Sequence, residues 1–95
     1  MDLNLVGKRA LVAGSTQGIG FASAAELAAL GASCTLIARN EVALKEAIGK
    51  LDSSKGQVHG YLVADFSKPE QVREVVNAFV ADNTVHILVN NSGGP

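Results

Sequence analysis

Short apolar runs alternate with amphipathic stretches along the whole chain, and this alternation constrains the fold more than any other feature. RALVA (Arg9 to Ala13), SCTLIA (Ser33 to Ala38), Val58 to Ala64 and HILVN (His86 to Asn90) lack a polar face and read as buried strands. Gly60 interrupts the third of them and weakens it. The connections are too long for hairpins, so the strands are expected to run parallel and to be joined by right-handed crossovers. The fold class this predicts is α/β: a partial, Rossmann-type doubly wound parallel sheet in the order 3-2-1-4, with three crossover helices.

The connecting segments carry the helical period. Gly18 to Leu30 places Ile19, Ala22, Ser23, Leu27 and Leu30 on one side, and its alanines favour helix. Gly31 follows and can take the left-handed conformation that stops a helix. Asn40 has the chemistry of an N-cap, and Leu44, Ala47, Ile48 and Leu51 then recur at i, i+3, i+4 and i+7. Ser67 to Glu70 (SKPE) has capping-box spacing, with Pro69 in the first turn, where its missing N–H costs nothing. The helix it opens carries Val72, Val75, Val76, Phe79 and Val80 on one face, which reads as core.

With 95 residues, one domain spanning 1–95 is the expectation. A chain that is 47% hydrophobic and 18% charged is not disordered by composition. A net charge of −1 gives no basic field for nucleic acid or an anionic membrane, and the scattered aromatics give no stacking platform for bases. No apolar stretch approaches the roughly 20 residues that span a bilayer. Cys34 is the only cysteine, so no intrachain disulfide can form, and a cytoplasmic location is expected. Cys34 itself reads as a small core residue of the second strand. His59 and His86 stand without metal-ligand spacing, and no metal is expected.

Residues 14 to 20, GSTQGIG, join the first strand to the first helix. A phosphate approaching a helix start meets unpaired N–H groups and the positive end of the helix dipole, and side chains there would hold it off. Gly14 would allow a tight exit from the strand, Gly18 close backbone approach and Gly20 close helix–strand packing. Ser15, Thr16 and Gln17 add hydroxyl and amide donors. The spacing lacks the Lys-Ser/Thr of a P-loop, which disfavours triphosphate hydrolysis. On these residues alone, a phosphate cradle and a plain turn both remain open.

AGSTQGIG, followed in order by LIARN, VADF and ILVNNSGG, resembles the short-chain dehydrogenase/reductase family over the whole chain, and within it the 3-oxoacyl-[acyl-carrier-protein] reductase-like group. The family's T-G-x-x-x-G-x-G is matched at Gly14, Gly18 and Gly20, with Ala13 in place of the threonine. Its N-N-A-G appears as Asn90 to Gly93, with Ser92 in place of the alanine. The resemblance implies a nicotinamide dinucleotide partner held by Gly14, Ser15, Thr16, Gln17, Gly18, Ile19 and Gly20. Asp65 and Phe66 are implied at the adenine, and Asn91, Ser92 and Gly93 near the nicotinamide-side ribose.

Members that use NAD usually place an acid at the end of the second strand, where it accepts from the ribose 2′-OH. No Asp or Glu occurs from Gly31 to Asn40, and the position reads Ala38-Arg39. An arginine pairs with a 2′-phosphate that a carboxylate would repel, so NADP(H) is expected over NAD(H). The family transfers hydride between a carbonyl and an alcohol with a serine and a Tyr-x-x-x-Lys pair. Tyr61, the only tyrosine, is followed four residues later by Asp65, so no catalytic residue is assigned. The chain reads as the cofactor-binding half of an oxidoreductase, truncated before its catalytic segment, inactive alone and usually homo-oligomeric in complete form. A non-catalytic nucleotide-binding or interaction module, complete as given, is the alternative. A methyltransferase is a weaker rival, since such folds also use glycine-rich first turns.

Overall fold

A computed structural model describes residues 4–14 and 18–90 of the chain, and the side chain of Ile19 is outside the described set. The chain order is β1 (Arg9–Ala13), α1 (Gly18–Ala29), β2 (Ser33–Ala38), α2 (Glu41–Gly49), β3 (Gly60–Val63), α3 (Pro69–Asp82) and β4 (Ile87–Asn90). The strands form one parallel sheet in the order β3-β2-β1-β4, as the sequence pattern predicts. β1 lies between β2 and β4, with Ala13 level with both Ile37 and Asn90.

Alternation along the strands divides the core between the two faces of the sheet. Ala10, Val12, Cys34 and Leu36 point to one face and pack with Ala24 and Ala28 of α1 and Leu44 and Ala47 of α2. Leu11 and Ile37 point to the other face, where Val72, Val75, Val76 and Phe79 of α3 cover them only partly. No residue of α3 is buried, and Val80, predicted on its apolar face, is 44% exposed.

α1 meets the sheet on a different stripe from the one its larger residues suggest. Gly20, Ala24 and Ala28, spaced by four, are buried, whereas Ala22 is exposed and Ser23, Leu27 and Leu30 are only partly covered. Small side chains let the helix lie close to the strands, and bulkier ones flank the contact. The helix ends in a Schellman arrangement: Ala32 N–H donates to the Leu27 carbonyl (3.0 Å) and Gly31 N–H to Ala28 (2.9 Å). Gly31 has φ +107°, and a Cβ there would lie 2.6 Å from Val6 Cγ2 and 2.9 Å from Val6 N. Glycine is therefore required twice over at this corner, where Leu5 N–H also donates to the Leu30 carbonyl (2.8 Å).

Asn40 caps α2 as expected, its side chain accepting from Ala43 N–H at 3.1 Å, and Leu44, Ala47 and Leu51 are buried. The predicted capping box of α3 does not form. Its N-cap is Lys68, with no side-chain cap bond, while Pro69 opens the helix as expected. Ser67 is diverted: its N–H (2.9 Å) and Oγ (2.7 Å) both donate to Asp65 Oδ1. An Asx turn has taken the hydroxyl that the box would use.

Two strands are shorter than the sequence suggests, because side chains replace backbone partners at the amino edge of the sheet. Val58 N–H donates to Ser33 Oγ (2.9 Å), and Cys34 N–H donates to His59 Nδ1 (3.0 Å), so β3 starts only at Gly60. With Nδ1 accepting, His59 donates from Nε2 to the Asp52 carbonyl at 2.7 Å. His86 Nδ1 accepts from Arg9 N–H at 3.0 Å while His86 N–H donates to the Arg9 carbonyl at 2.9 Å, and β4 begins one residue later.

The corner at Gly31 gives a direct test. Gly31→Ala should cost about 2 kcal/mol, through its positive φ and the clash with Val6. Gly49→Ala, where a Cβ meets no atom within 4 Å, should be neutral or stabilising by up to about 1 kcal/mol. Urea unfolding of both variants beside the parent chain measures the contrast.

Candidate functional site

Parallel strands in register bring their carboxyl ends to one edge of the sheet. The connection after β1 leads outward to β2 and β3, whereas the one after β3 returns past β1 to β4 on its other side. The strand order therefore reverses between β1 and β4, where open α/β sheets leave a crevice. Gly14 lies at this edge with φ +69°, its N–H donating to the Ile37 carbonyl at 2.8 Å. Gly18, the first residue of α1, has φ +67°, and a Cβ there would meet no atom of the described residues within 4 Å. Among the described residues packing therefore does not demand glycine at this point; the backbone conformation does. Gly20 is buried against the sheet. Ser15, Thr16 and Gln17 between them, and Asn91, Ser92 and Gly93 after β4, lie outside the described residues.

At the end of β2, Ala38 is partly covered, Arg39 is exposed and the Asn40 side chain is committed to its cap. No hydrogen bond or ion pair occupies the Arg39 guanidinium among the described residues. Arg39 does reach Asp65 electrostatically. The Asp65 carboxyl is held below its usual value first by the Ser67 hydroxyl and then by the Ser67 N–H, with smaller contributions from Arg39 and Lys68. Partial desolvation opposes these effects. Asp65 N–H donates to Gln71 Oε1 at 2.6 Å, so the loop after β3 is braced on the first turn of α3. Asp65 Oδ1 thus shapes its own turn. Sequence reasoning missed the brace by Gln71, since nothing in the spacing from Asp65 marks a side chain returning to a backbone N–H.

Phe66 is partly buried and turns to the α3 side of the sheet. It lines an apolar cleft of about 240 Å³ with Leu11, Ala13, Ile37, Val72, Val76, Leu88 and Asn90. The residues named from the sequence therefore divide. Gly14, Gly18, Arg39 and Asp65 share the carboxyl edge, while Phe66 forms a wall beneath it. Tyr61 lies away from any catalytic grouping, with its hydroxyl donating to Glu41 Oε2 at 2.8 Å. Among the described residues no cluster of His, Cys, Asp or Glu could hold a metal ion, and no helix is long and apolar enough to cross a membrane.

This sheet order, with helices on both faces and glycines at the β1–α1 turn, defines a Rossmann-type α/β protein. A model of the short chain dehydrogenase family matches residues 8–95, and the chain belongs to the short-chain dehydrogenase/reductase family, a family of oxidoreductases that bind nicotinamide cofactors. It is 36% identical over 94 residues to 3-oxoacyl-[acyl-carrier-protein] reductase FabG of Chlamydia muridarum, covering 98% of this chain and 38% of that protein. It is 31% identical over 94 residues to dehydrogenase/reductase SDR family member 12 of Homo sapiens, covering 98% of this chain and 30% of that one. The crystal structure of L-sorbose reductase from Gluconobacter frateurii, complexed with NADPH and L-sorbose, superposes with a TM-score of 0.85 at 37% identity. That match covers 99% of this chain and 36% of the reductase. The chain thus spans about a third of the length of these relatives.

The Asp65 turn predicts a pH dependence. A carboxyl whose value is lowered on folding stabilises the fold above its unfolded value and loses that contribution as pH falls through the lowered, folded one. Asp65→Ala should therefore be less stable than the parent at neutral pH, and the gap should narrow as pH falls below 3.8. Thermal unfolding of the two chains across this range measures the gap.

Proposed function

We propose that residues 1–95 are the NADP(H)-binding part of a short-chain dehydrogenase/reductase that interconverts a carbonyl and an alcohol by hydride transfer. The observation that carries this reading is Arg39, exposed and unpaired among the described residues at the end of β2, in a segment without Asp or Glu from Gly31 to Asn40. A planar guanidinium at that place suits a 2′-phosphate, and no carboxylate stands there to accept from a 2′-OH. The NADPH held by the similar L-sorbose reductase supports the same choice.

The residues present fit the dinucleotide. At Gly18, where a Cβ would meet no atom of the described residues, a pyrophosphate would approach the N-terminal N–H groups of α1, with Gly14, Ser15, Thr16, Gln17, Ile19 and Gly20 as the rest of the turn. Asp65 and Phe66 bound the adenine side: the first shapes the loop, and the second closes the floor. Asn91, Ser92 and Gly93 follow β4 on the nicotinamide side. When bound, the nicotinamide supplies or accepts the hydride. This chain's own residues bind and orient it, and none is assigned to move the proton, since the sequence contains no Tyr-x-x-x-Lys. The small carbonyl or alcohol substrate belongs to the complete enzyme, which we place in the cytoplasm as a homo-oligomer.

Two outcomes test the proposal. The double change Ala38→Asp with Arg39→Ala should weaken NADPH binding by about 10- to 100-fold relative to NADH, the scale of a charge-assisted pair to phosphate. Calorimetric titration of the chain with each dinucleotide reads this ratio, and an unchanged ratio rejects the cofactor assignment. The purified 95-residue chain should show no NADPH-dependent turnover of carbonyl compounds, followed as loss of nicotinamide absorbance.

A further inference from the structure

Glu41 is the first residue of α2 and stands two positions after Arg39. Two residues of chain span at most about 7 Å, so a free carboxylate here could turn toward the guanidinium. It would then compete with a phosphate for the arginine, repel that phosphate, and offer an acceptor to a 2′-OH. Each effect favours the cofactor without the 2′-phosphate. The structure shows the carboxylate engaged elsewhere. Tyr61 Oη donates to Glu41 Oε2 at 2.8 Å, joining β3 to the start of α2, and no ion pair links Glu41 with Arg39. The same bond raises the Tyr61 phenol above its usual value, so the ring remains a donor at any physiological pH.

The register explains why these residues meet. Tyr61 pairs with Leu36, Cα to Cα, and its ring packs on the core beneath α1 and α2. Asn40 fixes where α2 begins, and so where Glu41 lies. The other cation within reach of Glu41 on its own helix is Lys45, one turn along.

We propose that Tyr61 is a positioning residue for cofactor choice: by holding Glu41 on the β3 side of α2, it keeps the Arg39 guanidinium available to a 2′-phosphate. The inference rests on the NADP(H) reading above. Tyr61 touches no part of the cofactor and acts through Glu41.

The test uses 2′,5′-ADP and 5′-AMP, which differ by the 2′-phosphate alone, titrated into the 95-residue chain at low salt. The parent chain binds 2′,5′-ADP more tightly. Tyr61→Phe should lower that ratio by about threefold, the scale of one exposed hydrogen bond. Adding Glu41→Gln to Tyr61→Phe should restore the ratio, because the released side chain no longer carries charge. A purely structural role for Tyr61 would weaken both ligands alike and would not be rescued, and that result overturns the inference. So does an unchanged ratio in Tyr61→Phe, the outcome if the freed carboxylate turns to Lys45. A parent chain indifferent to the 2′-phosphate overturns the NADP(H) reading and this inference with it. Should Tyr61→Phe fail to fold, Glu41→Asp draws the carboxylate back from the hydroxyl with Tyr61 in place. The same fall is expected there, and its absence is decisive against the proposal.

Discussion

The position of β1 governs everything else in this structure. Paired in parallel on both sides, with Ala13 level with Ile37 and Asn90, it sets the carboxyl ends of its neighbours in one line. That alignment gathers turns far apart in sequence into one edge, so Gly14, Arg39 and Asp65 come together although about 25 residues separate each from the next. The strand's own side chains, Ala10 to Ala13, contribute no chemistry and are all buried. Their work is to hold a register.

The two faces of the sheet are unequally covered. α1 and α2 seal one face with fully buried small and branched residues, while α3 leaves the other with an apolar cleft and Leu88 69% exposed. The candidate site draws on both. Gly18, at the start of α1, and Arg39, just before α2, adjoin the sealed side. Phe66 belongs to the open side. Each face therefore meets the edge differently: a closely packed layer on one, partly open apolar surface on the other.

Much of this was legible in the sequence, for identifiable reasons. Strand order and parallel pairing followed from apolar runs separated by helical periods, and the α2 cap from Asn40 before a clean i, i+3, i+4, i+7 stripe. What escaped were competitions between side chain and backbone. Ser67 has the spacing of a capping residue, but a carboxylate two residues earlier is nearer to its hydroxyl. His59 and His86 stand isolated in sequence, yet each imidazole accepts a strand N–H, and that shortened β3 and β4. The buried stripe of α1 was displaced because periodicity weighs bulk, while contact with a flat sheet selects smallness at Gly20, Ala24 and Ala28. At the sheet edge, the segment without Asp or Glu drew attention to Arg39, which the structure leaves exposed; its pairing with a 2′-phosphate is proposed. The tie between Tyr61 and Glu41, twenty positions apart, depends on register and could not be read.

Cys34 carries a consequence of a different kind. Its thiol is enclosed between β2 and α1, its Sγ 3.5 Å from the Ala24 carbonyl, and burial pushes it up to about 11. Thiolate is the reactive form, and at neutral pH such a thiol holds about one part in ten thousand of it. An alkylating reagent thus meets an almost inert sulfur until the helix lifts from the sheet. The rate of labelling at this single position becomes a clock for that opening. The chain carries, in its own sequence, a reporter of how often the sealed face between α1 and the sheet comes apart.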